Sequence, residues 1–148
     1  EGMTVRFICD RGVTHELVRH RLCAYSQEST RFCNYSKKGD GEETFIRPPF
    51  WDSGSDADEN RYATWMNMML AAENAYLKEL EMGCSPQQAR SVLPNSLKTE
   101  IVTTANFREW RHIFRLRCSS RAHPQMRQLM IPLRDEVKEK LPIIFEGV

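Results

Sequence analysis

The spacing of apolar and polar positions changes period several times along the 148-residue chain, and each change marks an element. Thr4-Val5-Arg6-Phe7-Ile8-Cys9 alternates with a period of two and predicts a short strand. Asp10-Arg11-Gly12 predicts a turn, and Thr14 a cap for a short helix running through His15 to Arg21. Ser29 to Tyr35 alternates again and predicts another strand. Lys37 to Ser55 is rich in Gly, Pro and charge, a surface excursion with a brief strand at Thr44-Phe45-Ile46. From Asp58 to Met82 the period becomes helical, placing Tyr62, Trp65, Met69, Ala72, Tyr76 and Leu80 near one face, with Gly83 as the stop. Pro86 opens a second short helix carrying Ala89, Arg90 and Val92, and Pro94 breaks it. Lys98 to Thr104 is a strand, with Thr99, Ile101 and Thr103 on one face. Asn106 and Glu109 have capping-box spacing at the head of a helix whose core candidates are Trp110, Ile113 and Phe114. A last helix spans roughly Pro124 to Leu141. No regular βαβ repeat emerges, so the expected fold is α+β, a mixed sheet packed with helices in a single domain over 1–148.

Composition narrows the function classes. The chain is 41% hydrophobic and 28% charged, ordinary for a globular protein, and no apolar run approaches the length that spans a bilayer. No signal pattern stands at Glu1-Gly2-Met3-Thr4, and no membrane partner is expected. Cys9, Cys23, Cys33, Cys84 and Cys118 are odd in number and form no close pair. That argues against a disulfide scaffold or a CxxC zinc site and for reduced thiols in a cytoplasmic protein. The net charge is only +1, but Lys98 to Arg134 is strongly basic while Lys37 to Glu59 is acidic. Such local basicity suits a confined anionic ligand better than a long nucleic-acid footprint.

Candidate chemistry concentrates in Arg19-His20-Arg21, followed by Ser29 and Arg31. Guanidinium groups and hydroxyls suit phosphate, since the fork makes two parallel charge-assisted hydrogen bonds. On composition alone the blander reading, a solvated basic helix end partly paired with Glu16 and Glu28, is the stronger. The spacing alters that balance. Arg-His-Arg, seven residues and then Ser, from Arg19 to Ser29, resembles the signature of the flavin-dependent thymidylate synthases, and Arg31 follows it. Similar blocks continue in order at Ala89-Arg90-Ser91-Val92-Leu93-Pro94, Thr99, Asn106-Phe107-Arg108, Leu116-Arg117 and His123-Pro124-Gln125.

The resemblance implies methylation of dUMP at carbon 5, with FAD as cofactor and methylenetetrahydrofolate and NADPH as co-substrates. It implies a homotetramer with sites at subunit interfaces, and no nucleic-acid partner. Position by position, Arg19, His20, Arg21, Gln27, Asn106, Arg108 and His112 are expected to hold the flavin. Glu16, Arg19, Gln27, Ser29, Arg31, Arg90 and Arg117 are expected at the nucleotide, with Arg117 catalytic and facing the uracil ring. That role also makes sense chemically. Carbon 5 becomes nucleophilic as negative charge develops over N3 and O4, which a permanent guanidinium cation stabilises.

Arg108, His112 and Arg115 share a face of their helix. Cys23 and Cys118 sit beside motif residues, yet the flavin route needs no enzyme nucleophile, and structural cysteine is the better reading of all five. The Trp65, Met66, Met68, Met69 and Tyr76 group reads as core or interface, and no metal site is expected. The sequence departs from the resemblance at Gln27, where Glu is common, at Phe32, where Tyr is usual, and at a short N-terminal side. Those departures keep two alternatives open. One is a relative acting on UMP or forming a hydroxymethyl product; the other is a nucleotide- or nucleic-acid-binding module without catalysis.

Overall fold

The computed structural model of the chain describes residues 1–31 and 45–148. Its elements run β1 (Gly2–Asp10), α1 (Arg11–Leu17), β2 (Ala24–Gln27), α2 (Asp56–Glu81), α3 (Pro86–Ala89), β3 (Lys98–Asn106), α4 (Phe107–Arg117), α5 (Pro124–Lys140) and α6 (Pro142–Phe145). A 3-10 turn, Arg90–Val92, follows α3. The strands form a three-stranded sheet in the order β1-β3-β2. The α+β class holds; the sheet is antiparallel, more uniform than the mixed sheet expected. β2 pairs with β3 so that Ala24 lies opposite Thr104 and Gln27 opposite Ile101.

The chain divides into two compact units. The first comprises Glu1–Ile8, Val13–Gln27 and Glu100–Val148. Its core is aromatic: Trp110 and Phe114 lie 5.7 Å apart, and Phe7 and Phe145 pack against them at 6.3 and 5.7 Å. Trp110 also donates from Nε1 to the Met3 carbonyl at 2.9 Å, so its one polar atom is satisfied inside the core. Leu17, Ile101, Ile113, Met126, Met130 and Val137 are among the other buried residues. Asn106 caps α4 as expected, accepting from the Glu109 N–H at 2.9 Å. Trp110, Ile113 and Phe114 are its buried face, as the pattern predicted.

The second unit comprises Cys9–Gly12 and Glu28–Thr99. Ser55 caps α2, and Asp56, Asp58 and Glu59 in its first turn favour the positive end of the helix dipole. Met69 and Tyr76 are buried on the face that the period predicted. Gly83 ends the helix with φ +89°, a conformation that side chains with a Cβ resist. Trp65 Nε1 donates to Ser96 Oγ at 3.3 Å, and Phe45 forms an isolated antiparallel bridge with Leu97.

Three expectations change. The first helix begins at Arg11, not after a Thr14 cap, because the Arg11 and Gly12 N–H groups donate to the carbonyls of Asn95 and Leu97. Those distant acceptors satisfy donors that a helix start leaves orphaned, so no local cap is needed. Thr14 is buried inside the helix instead. The strand between Arg21 and the acidic stretch is Ala24–Gln27, earlier than expected; Ser29 to Arg31 is not strand, and the rest of that prediction lies outside the described residues. Finally, Pro142 starts a separate α6 beyond the last predicted helix. Among the described residues no helix is long and apolar enough to cross a membrane.

Candidate functional site

In the first unit, the segment after α1 turns back under Tyr25, whose hydroxyl lies 2.7 Å from the Leu17 carbonyl and 2.8 Å from that of His20. One phenolic proton shared between two carbonyls at a helix end pins the Arg19-His20-Arg21 segment from inside. His20 is thereby turned inward and buried, while Arg19 and Arg21 are exposed on either side of it. The His20 ring meets the His112 ring edge-on at 6.0 Å.

Arg117, at the end of α4, is held on three of its five N–H groups. Nε donates to His20 Nε2 at 2.9 Å, Nη1 to Glu16 Oε2 at 3.2 Å and Nη2 to the Glu16 carbonyl at 2.9 Å. Its side chain keeps 20% exposure, so two N–H groups remain for a ligand on a cation whose direction is fixed. Glu16 and His20 therefore come together around Arg117. Arg108 and His112 are exposed on α4, and Asn106 is spent on capping through its carbonyl oxygen. Gln27 donates from Nε2 to Thr14 Oγ1 at 3.0 Å.

The remaining expected residues belong to the second unit. Arg31 Nε donates to Gln87 Oε1 at 3.0 Å, and its backbone N–H to Ser29 Oγ at 3.2 Å. Arg90 Nη1 donates to Thr30 Oγ1 at 3.4 Å. Gln87 and Thr30 are neutral side chains.

Sequence reasoning missed the position of Glu109. Its carboxylate is buried, with Oε1 3.6 Å from His20 Nδ1. His20, Glu109 and His112 offer ligand atoms within 4.8 Å of one another, a spacing that invites a metal reading. The Arg117 bond argues against it. A neutral imidazole has one donor and one acceptor nitrogen. With Nε2 accepting from Arg117, Nδ1 carries the proton and offers no lone pair to an ion. The only sequence signal for this grouping was Glu109 and His112 three residues apart on one helix.

Burial, then the Arg117 guanidinium and His112, hold the His20 pKa down at about 4, so the ring is neutral at pH 7. An unfolded histidine takes up a proton near pH 6.5. Between those values the unfolded chain binds more protons, so folding stability falls as pH falls through that window. The loss reaches on the order of 3 kcal/mol below pH 4. Wild-type protein is therefore expected to lose more thermal stability between pH 7 and 4.5 than His20→Gln, which has no titrating ring. Equal losses in the two proteins would contradict this origin.

Burial raises the thiol pKa of both Cys23 and Cys118 and pushes Cys9 up to about 12. Thiolate is the attacking form, so these positions are poorly suited to nucleophilic work. Cys23→Ala and Cys118→Ala are each expected to keep turnover within about threefold. A loss of 100-fold or more in either, with the fold intact, would show a role as nucleophile.

Comparison with known proteins places the chain in a family. Residues 2–143 match the family described as thymidylate synthase complementing protein. The chain belongs to that family. It is 37% identical over 135 residues to a flavin-dependent thymidylate synthase of Geobacter sulfurreducens, covering 91% of this chain and 55% of that one. A flavin-dependent thymidylate synthase of Corynebacterium diphtheriae is 36% identical over 147 residues, covering 91% and 56%. One from Pyrococcus furiosus is 33% identical over 132 residues, covering 89% and 52%. The chain spans about half the length of the curated relatives it matches.

Proposed function

We propose that this chain acts in the FAD-dependent methylation of dUMP at carbon 5, with methylenetetrahydrofolate as one-carbon donor and NADPH as reductant. The observation that carries the reading is Arg117: half-buried, fixed by His20 and Glu16, with two N–H groups to spare. Membership of the family and the names of its relatives support it.

The residues present fit a flavin dinucleotide in kind. Arg19, Arg21 and Arg108 are exposed cations for a pyrophosphate, and exposed His112 supplies a polar ring edge. FAD, when bound, supplies the electrons that reduce the transferred carbon to methyl. The protein's share is electrostatic. Carbon 5 becomes a nucleophile toward the incoming carbon as negative charge is drawn onto N3 and O4 of uracil. Arg117 stabilises that charge in place, with no reorientation at the moment of reaction. No thiolate attack at carbon 6 is required, in line with the raised thiols. Self-association into a homotetramer belongs to the same reading.

Calorimetric titration of the full chain with dUMP tests the binding half. Saturation at one dUMP per chain, with modest salt dependence, is the expected result. Affinity that grows with oligonucleotide length and falls steeply with salt would point to a nucleic-acid-binding module instead.

A further inference from the structure

Glu109 was expected only as a capping-box partner and has no part in the expected site, yet it occupies a costly position. Its side chain is 9% exposed, and the nitrogen it faces belongs to His20, itself 5% exposed. A buried carboxylate is unfavourable unless something compensates it. Here the facing ring is neutral and its Nδ1 lies 3.6 Å away, so the compensation is attraction to a ring dipole rather than a full ion pair.

The tautomer follows from both sides of the ring. Arg117 donates to Nε2 at 2.9 Å, which needs a lone pair there. Glu109 Oε1 lies 3.6 Å from Nδ1, where a proton is attracted and a second lone pair would be repelled. The opposite tautomer would set a ring N–H against the Arg117 Nε–H and release the guanidinium from its inner anchor. Glu109 and Arg117 lie on the same helix, eight positions or about 12 Å of rise apart, so the carboxylate reaches Arg117 only through His20. We propose that Glu109 is a positioning residue for Arg117, acting by holding His20 in the Nδ1–H tautomer. Its catalytic consequence rests on the proposed function above; the tautomer itself does not.

The test combines nitrogen-15 NMR of the histidine rings with turnover, in the full chain at pH 7.5. Wild-type His20 is expected to show the Nδ1–H pattern. Glu109→Ala is expected to shift His20 toward the Nε2–H form and to lower kcat for dUMP about 10- to 100-fold, with flavin still bound. Glu109→Gln, whose amide oxygen can face Nδ1–H from the same place, is expected to keep the tautomer and recover most of kcat. Nε2–H in the wild type would overturn the proposal whatever the variants do. So would Glu109→Ala with an unchanged tautomer, or with a changed tautomer and kcat within threefold. Should Glu109→Ala fail to fold, the wild-type tautomer and the Gln rescue decide. Absence of turnover in the wild type would overturn the proposed function, leaving the ring spectra to judge the role of Glu109.

Discussion

Arg117→Ala is expected to lower dUMP turnover by at least about 100-fold, the effect of removing one preorganised donor to developing negative charge. Flavin binding is expected to survive largely intact, because the exposed Arg19, Arg21, Arg108 and His112 are left in place. Lys is not a conservative replacement. Its single ammonium cannot reproduce the Nε donation to His20 together with the paired contacts to Glu16. Arg117→Lys should therefore recover only a minor part of the rate. Turnover can be followed by product formation, and flavin retention by absorbance of the purified variants. Loss of flavin in Arg117→Ala would assign Arg117 to cofactor binding. Near-normal turnover would remove it from the chemistry altogether.

The largest effect on stability is expected at Trp110. The ring is fully buried, contacts Phe7 and Phe114, and spends its N–H on the Met3 carbonyl. Trp110→Ala removes that packing and leaves a cavity, a change that costs about 3–5 kcal/mol. It also strips the Met3 carbonyl of a buried partner. Because Trp110 seats α4, and α4 carries both Glu109 and Arg117, activity should fall along with stability. Denaturant unfolding checks the first part: a shift in midpoint worth less than about 1 kcal/mol would show that the aromatic cluster tolerates the void. Trp110→Phe keeps most of the volume, and its loss should be visibly smaller.

What the sequence revealed follows a physical divide. Elements whose signals are local were legible. Asn106 is a cap, Gly83 is a left-handed stop, and Trp110, Ile113 and Phe114 recur at the helical period, so α2 and α4 were placed within a few residues. Elements completed by distant partners were not. α1 starts where Asn95 and Leu97 supply acceptors, and β2 is a half-exposed segment made a strand by pairing with Ile101 to Thr104. The site divides the same way. The motif spacing made Arg19 to Arg31, Arg90 and Arg117 candidates, whereas the inward turn of His20 depends on Tyr25 and on burial. Glu109 read as a capping-box partner by its spacing; only folding shows that its carboxylate faces His20.

The most direct test of the central claim is tritium release from carbon-5-labelled dUMP, in the presence of methylenetetrahydrofolate and NADPH, with and without FAD. Release that requires FAD, and that Arg117→Ala abolishes, is the predicted result. Release that is indifferent to FAD, or none from dUMP or UMP in either arm, would contradict it.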